Sequence, residues 1–279
     1  MKIQVGIGCE EEFLYFLKSG ADEFYAGISD LPGHLYGGKN FPDEKSFLKC
    51  AQKARSLGKK FYAVANEVRG DLFENTLNKS VYLVKNGADG LIIRDISLLR
   101  EIKRLNLKCE IILSSLALCF NKRTLDFYAD MGVTRLALPE QLEPKEAEPL
   151  IKNNRKVDVE VFLTAREYCV VLNGFCYLKK FNGECICRAG FKYDKGIFAM
   201  PRFSLAEHYL NLYEFYKAGA RIIKIGRHPS KDYAKIIFKQ ALSVRDILYS
   251  SLSKEDFLKK ALSAHEKFGE FLLKWKKRR

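Results

Sequence analysis

The sequence predicts a parallel (β/α)₈ barrel, and three observations carry that expectation. Four segments repeat one pattern: SGADEFYAG from Ser19, NGADGLIIRD from Asn86, MGVTRLALPE from Met131 and AGARIIKIG from Ala218. Each places a glycine just after an amphipathic helical stretch, where a left-handed cap is needed, and a short β-rich apolar run follows within a few residues. Filling in the rest gives eight strands alternating with helices, the signature of stacked βα units. The length, 279 residues, is close to the roughly 250 typical of such barrels. An open doubly wound sheet is the alternative that the same alternation allows.

In chain order, strands are expected at Ile3–Ile7, Glu23–Ile28, Lys60–Ala65, Gly90–Arg94, Glu110–Leu113, Arg135–Leu138, Val159–Leu163 and Ile222–Ile225. Each is a short apolar run rich in β-branched and aromatic residues. Helices fall between them, among them Asp43–Ser56, Leu98–Leu105, Thr124–Met131 and Leu205–Lys217, the last opened by a capping box of Ser204 and Glu207. Two further helices, Ser230–Ser250 and Glu255–Trp275, should pack outside the barrel, the second capped by Ser253 and Asp256. No linker rich in Pro, Gly or Ser divides the chain, so residues 1–279 read as one domain. Residues 166–200 interrupt the alternation after the seventh strand and read as an insertion at the C-terminal, functional face. Residues 253–279 read as a basic amphipathic helix.

The composition narrows the class. A hydrophobic content of 47% is enough to bury a full core. The start, MKIQVGIGCEEE, is neither a secretory signal nor a membrane span, no transmembrane segment is expected, and the expected compartment is the cytosol. Thiols there stay reduced, so eight cysteines point to metal binding, catalysis or burial rather than to disulfides. Cys50 and Cys109 read as small core residues. A formal charge of +14 would draw the protein to nucleic acid or another polyanion. The one dense basic run, KWKKRR from Lys274 to Arg279, is either an RNA- or partner-docking tail or a helix end whose charges complement the dipole.

Four cysteines, Cys169, Cys176, Cys185 and Cys187, fall within nineteen residues with the spacing Cys-x6-Cys-x8-Cys-x-Cys. Structural zinc favours paired knuckles of two to four intervening residues, because two thiolates on one tight turn meet one tetrahedral ion. Cuboidal iron–sulfur clusters take one thiolate per iron and tolerate irregular spacing. A [4Fe–4S] cluster is therefore the first reading, zinc the alternative, and free thiols or a redox pair a third. Lys179, Lys180, Arg188 and Lys192 lie close by in sequence and suit the negative charge of a thiolate-ligated cluster.

These residues also carry a resemblance. EVFL at Glu160, followed by Cys169-Val-x-x-x-Gly174-x-Cys176, resembles the signature of the collagenase-like peptidase family U32, and Lys224-Ile-Gly-Arg227 with Ser230-x-x-Tyr233 resembles its Lys-Ile-Glu-Gly-Arg motif. GADEFYAG, VAN ending at Asn66, IIRD ending at Asp95 and LALPE ending at Glu140 follow the family's N-terminal half, so the resemblance covers most of the chain. It implies a barrel holding a [4Fe–4S] cluster in proteins linked to oxygen-independent hydroxylation of aromatic rings. Branches act on ubiquinone precursors or on bases of tRNA and ribosomal RNA, with a prephenate-like carboxylate as oxygen donor. The short chain is more similar to the ubiquinone-type branch, which implies a small aromatic substrate and a homologous partner subunit; an RNA base hydroxylase is the alternative, and a non-catalytic metal-stabilised subunit a third reading. The chain departs from the pattern in places: the family's His-Gly-Ala becomes Thr164-Ala165-Arg166-Glu167, the Glu of the strand-eight motif is absent, and the fourth cysteine position falls near Leu205. Cys185 and Cys187 must then both serve as ligands.

Further candidates sit at strand ends. Asn66, Asp95, Ser114, Ser115, Glu140, Arg166 and Arg227 are expected to point into one mouth, where Arg227 with His228 would hold an anionic donor. The plainer reading of each is a helix cap or a rim ion pair. Lys224, inside an apolar strand, needs a buried partner, and Glu160 on the neighbouring strand is the expected one. His34, in the glycine-rich stretch LPGHLYGGKNF, sits in either a lid or a long turn, whereas His208 and His265 read as structural. A peptidase gains little support: there is no His-Glu-x-x-His motif and no Gly-x-Ser-x-Gly elbow.

Overall fold

A computed structural model describes residues 1–29, 31, 40–66, 68, 70–163, 191–198, 204–227 and 231–276. The strands are β1 (Lys2–Gly6), β2 (Glu23–Ala26), β3 (Lys60–Ala65), β4 (Gly90–Ile93), β5 (Glu110–Leu113), β6 (Arg135–Ala137), β7 (Asp158–Phe162), β8 (Phe191–Tyr193), β9 (Gly196–Phe198) and β10 (Ile222–Ile225). β1 to β7 and β10 close a barrel in which every neighbouring pair is parallel, and β10 seals it against β1 through the register Lys2↔Ile222 to Val5↔Ile225. The eight expected strands are these eight, each within about two residues of its expected bounds, and the open sheet is excluded by that closure.

The helices are α1 (Glu10–Lys18), α2 (Glu44–Ser56), α3 (Phe73–Asn86), α4 (Ile96–Arg104), α5 (Lys122–Asp130), α6 (Pro144–Ile151), α7 (Leu205–Ala218), α8 (Lys231–Tyr249) and α9 (Lys254–Lys276). Their ends follow the sequence chemistry. Asp43 accepts a hydrogen bond from the Ser46 amide at 2.7 Å, and Ser204 and Glu207 close the capping box before α7. Ser253 accepts from the Asp256 amide at 3.1 Å. Gly20, Gly87, Gly132 and Gly219, the glycines of the repeat, all have positive φ, between +94° and +151°. Only glycine takes that conformation without steric cost, so each ends its helix and lets the chain drop into the next strand.

Alternation along the strands sorts two interiors. Ile3, Val5, Phe24, Phe61, Leu91, Ile93, Leu136, Val161 and Ile223 face outward and are buried beneath the helices in one continuous apolar core. An edge-on cluster of phenylalanines fills part of it, with Phe47 and Phe61 centroids 4.8 Å apart and Phe41 packed 5.9 Å from Phe47. Inside the barrel the alternate residues form a second, smaller apolar set, Tyr25, Tyr62, Val64, Ile92 and Ile112. Below it lie charges.

One feature of the 166–200 segment escapes the periodicity: β8 and β9 form an antiparallel two-stranded hairpin that turns through Asp194 and Lys195, with Gly196 at φ +139° opening β9. Cysteine spacing dominated that stretch of sequence and concealed a three-residue pairing too short to register as alternation.

Gly90 shows how tightly the barrel is drawn. A Cβ there would lie 2.1 Å from the Glu110 backbone oxygen, which cannot move without breaking the β4–β5 ladder. Gly90→Ala should lower unfolding free energy by about 1–3 kcal/mol or more, read from the urea midpoint. Gly226→Ala, where a Cβ would meet nothing within 4 Å, should change it little.

Candidate functional site

At the C-terminal mouth of the barrel, a cavity of about 250 Å³ is walled by Tyr25, Val64, Ile92 and Phe162 and edged by Asn40, Asn66, Ser114, Ser115, Glu140, Lys224 and Arg227. Each polar group arrives there because its strand has just ended. Asn66 follows β3, Ser114 follows β5 and opens a single 3₁₀ turn, and Gly226 and Arg227 follow β10. Asn40 comes from farther away. The Phe41 amide donates to Gly27 O at 3.0 Å and its carbonyl accepts from Ser29 at 2.8 Å, so the chain is stitched back to the end of β2. Phe41, buried among Phe47 and Phe61, anchors that return.

The floor of the cavity is ionic. The Lys224 ammonium donates to Glu160 Oε1 and to Gln4 Oε1, each at 2.6 Å, and sits 4.2 Å from the Tyr25 ring centroid. Glu160 also lies 3.6 Å from Arg135, whose guanidinium donates to Glu23 at 2.5 Å and reaches Glu110 at 3.4 Å. Tyr62 donates to Glu110 at 2.8 Å beneath the Arg135 guanidinium, whose carbon is 5.2 Å from the Tyr62 ring centroid. Glu23, Arg135, Glu160 and Lys224 are all at most 5% exposed. Two cations and two anions thus compensate one another along the barrel axis. Burial pushes the Glu23 carboxyl up, but the Arg135 charge and hydrogen bond outweigh it and hold Glu23 below the usual carboxylate range. Burial draws the Lys224 ammonium down from its ordinary value against the pull of Glu160.

The mouth is tuned differently. Glu140 leaves the end of β6, and burial pushes its carboxyl up to about 7 although part of the residue remains accessible. It forms a shared wall between the main cavity and a small side pocket lined by His208 and Asn211 of α7. Burial, with a smaller contribution from His265, pushes buried His208 down to about 3, so its imidazole is neutral at physiological pH. Asn66 donates to Ser114 Oγ at 3.2 Å, and the Arg227 guanidinium donates to Asn40 Oδ1 at 2.5 Å. Gly6 makes room for this: a Cβ there would lie 2.4 Å from Arg227 and 2.6 Å from Tyr25.

Of the residues expected at the mouth, the structure brings together Asn66, Ser114, Ser115, Glu140, Lys224 and Arg227, and gives Lys224 the Glu160 partner that its burial demands. It does not bring Asp95 to the cavity wall. Asp95 caps α4, accepting from the Leu98 amide at 2.8 Å. His34, Arg166, Cys169, Cys176, Cys185, Cys187 and His228 lie outside the described residues. Cys50 is buried, as its sequence setting suggested, whereas Cys109 is only partly so. Arg135 and Glu23 escaped sequence reasoning, although the signal that exposed Lys224, a charge at an inward strand position, applied to them too. Asn40 carried no such signal, since only the tertiary return of Phe41 puts it at the mouth.

Residues 8–267 match peptidase family U32. The chain belongs to that family. Its curated relatives include tRNA hydroxylation protein P of Haemophilus influenzae, 28% identical over 200 residues, an alignment covering 68% of this chain and 43% of that protein. The protein of the same name from Escherichia coli strain K12 aligns with the same figures. A collagenase of Porphyromonas gingivalis is 26% identical over 276 residues, covering 86% of this chain and 65% of that protein. This U32 chain thus spans less than half the length of the hydroxylation proteins and just under two thirds of the collagenase. The solved structure of a U32 peptidase shares the fold, with a TM-score of 0.52 at 10% identity over 82% of this chain and 93% of that one.

Two outcomes follow from the geometry. Arg135→Leu should cost about 3–5 kcal/mol in chemical denaturation, because it takes the main partner from buried Glu23 and leaves Glu160 with Lys224 alone, and adding Glu23→Leu should recover part of the loss. Glu140 titrates near 7 folded and near the ordinary glutamate value unfolded, so between those limits the folded state holds the extra proton and stability falls as pH rises. The contribution of His208 has the opposite slope below its ordinary value of 6.5, so the test is a difference. Glu140→Gln minus wild type should gain stability from pH 4.5 to 7, and a flat difference would place the carboxyl in solvent.

Proposed function

We propose that the protein takes part in oxygen-independent hydroxylation of an aromatic ring held in the barrel mouth, and that the ring is an RNA base. The observation that carries this reading is the similarity to two proteins named for tRNA hydroxylation, over an alignment covering 68% of the chain. Two features of the chain support it. The formal charge of +14 favours a polyanionic substrate. A cavity of about 250 Å³ with apolar walls and a few convergent polar groups suits one planar ring better than an extended peptide.

In this reading the residues have separate tasks. Tyr25, Ile92 and Phe162 enclose the ring and exclude water. Lys224, fixed by Glu160 and Gln4, presents a positive charge at the floor where an electron-rich oxygen would accumulate. Glu140, poised near neutrality, gives or takes a proton at the opposite wall. Arg227, oriented by Asn40, faces the carboxylate oxygen donor.

Cys169, Cys176, Cys185 and Cys187 would hold the cofactor. Four thiols suit a [4Fe–4S] cluster, with zinc the alternative, and their segment departs just after Phe162, a residue of the cavity wall. Bound there, the cluster would supply one-electron transfer. Such a thiolate site fits a reducing, cytosolic setting and anaerobic work beside a homologous subunit. Three of the four described cysteines offer little as a peptidase nucleophile: burial pushes Cys50 up to about 12 and Cys109 and Cys119 to about 11.

Anaerobic purification should give iron and sulfide in equal amounts, lost on Cys185→Ser or Cys187→Ser; stoichiometric zinc without colour would sink the cluster. In a strain deleted for the gene, mass spectrometry of digested RNA should show a hydroxylated nucleoside missing, restored by the wild-type copy and not by Lys224→Met. Unchanged nucleosides with an altered quinone profile would move the substrate to a free aromatic ring of the ubiquinone-precursor type.

A further inference from the structure

Two amide side chains at the mouth are unfinished. Asn40 and Asn66 are 8% and 5% exposed, both line the cavity, and each leaves one buried polar atom without a hydrogen-bond partner. Buried polar groups are nearly always paired, so such atoms in a cavity wall point to a ligand that completes them. The bond that Asn40 makes fixes its polarity, and Asn66 is oriented by its bond to the Ser114 hydroxyl, a group able to donate or accept. The Asn40 Oδ1 accepts from the Arg227 guanidinium, which can only donate, so the open atom is the Nδ2 donor. The Asn66 Nδ2 donates to Ser114 Oγ, and the open atom is the Oδ1 acceptor.

Both side chains are held in place. Asn66 sits where β3 ends, and its partner Ser114 is itself fixed by accepting from the Leu116 amide at 3.3 Å. Asn40 is held by Arg227 on one side and by the stitched backbone of Phe41 on the other. A rigid donor and a rigid acceptor facing one apolar slot read a ring edge of matching pattern. Such an edge carries a carbonyl beside an N–H, as a lactam does. A phenolic hydroxyl can donate to the Asn66 acceptor but has no carbonyl beside it for the Asn40 donor, and a benzoate carboxylate has no N–H.

We propose that Asn40 and Asn66 are the specificity-determining pair of the mouth and select a planar ring with a lactam edge, Asn66 Oδ1 accepting from the ring N–H and Asn40 Nδ2 donating to the adjacent carbonyl. This deepens the RNA-base reading above and rests on it for the location of the ring. The selection follows from what an unmatched ligand leaves behind: a ring that lacks the N–H leaves a buried acceptor unpaired, which sites of this kind reject strongly.

The test reads binding rather than turnover. Titration calorimetry of the full chain, purified anaerobically, would use uridine and guanosine as lactam probes. Their N-methylated counterparts, 3-methyluridine and 1-methylguanosine, have lost the N–H, and 4-hydroxybenzoate is a ring without the edge. At least one lactam nucleoside should bind roughly 10- to 100-fold more tightly than its methylated partner. Asn66→Leu should bring that ratio close to one, and Asn40→Ala should weaken the parent nucleoside. Asn66→Ser is the milder variant, and far-UV circular dichroism checks that each is folded. Equal affinity for methylated and parent nucleosides, tighter binding of 4-hydroxybenzoate, no binding of either lactam, or discrimination that survives in both Asn66 variants would overturn the assignment. If hydroxylated nucleosides are restored in cells while the methylation ratio stays at one, only this pair is wrong. If the ratio holds while RNA is unmodified, the hydroxylation reading falls and the edge-reading pair stands.

Discussion

The barrel depends on compensation of charge along its own axis. Glu23, Arg135, Glu160 and Lys224 come from four different strands and are removed from water together, a placement that costs each of them its hydration. None is tolerable alone. Arg135 is shared between Glu23 and Glu160, and Glu160 between Arg135 and Lys224, so the position of each strand is tied to charges on the others. A barrel filled by branched aliphatic layers alone would lack that registry device. The arrangement also delivers a cation to the floor of the mouth, because Lys224 is at once the last member of the ionic chain and a wall of the cavity.

Above the floor, the mouth is assembled from strand ends and one returning loop. Parallel strands stop at the same face, so whichever residue follows each strand is brought to the rim. Asn66, Ser114, Glu140 and Arg227 arrive in this way, and none needed a dedicated structural element. Asn40 differs, since it is delivered by Phe41, whose ring belongs to the outer core between sheet and helices. The two interiors of the fold are thereby connected: packing outside the sheet sets a polar group inside the mouth.

Much of this was legible before any coordinates. Period-two apolar runs, helix-ending glycines and capping boxes are local signals, and each has a local cause in backbone sterics or orphan amide groups, so the barrel and most rim residues could be read from the chain. Lys224 was legible as a residue needing a partner because an ammonium in an apolar strand is a conflict visible in sequence. Arg135 and Glu23 posed the same conflict more faintly, each at the first residue of its strand, where a charge passes for a solvent-exposed end. Asp95 shows the reverse error. A strand-end carboxylate looks the same in sequence whether it faces the mouth or turns back to cap the helix that follows.

The sequence by itself determined the alternation of strands and helices, the glycine caps and membership of the U32 family, because these depend on residue type and spacing along the chain. Tertiary structure decided which charges compensate one another, that Asp95 caps a helix while Asn40 joins the mouth, and that two amides in the cavity wall are left with open hydrogen-bonding atoms. Those facts depend on distances between residues far apart in the chain, up to 220 positions for Gln4 and Lys224. Only closure of the barrel brings them within a hydrogen bond of each other.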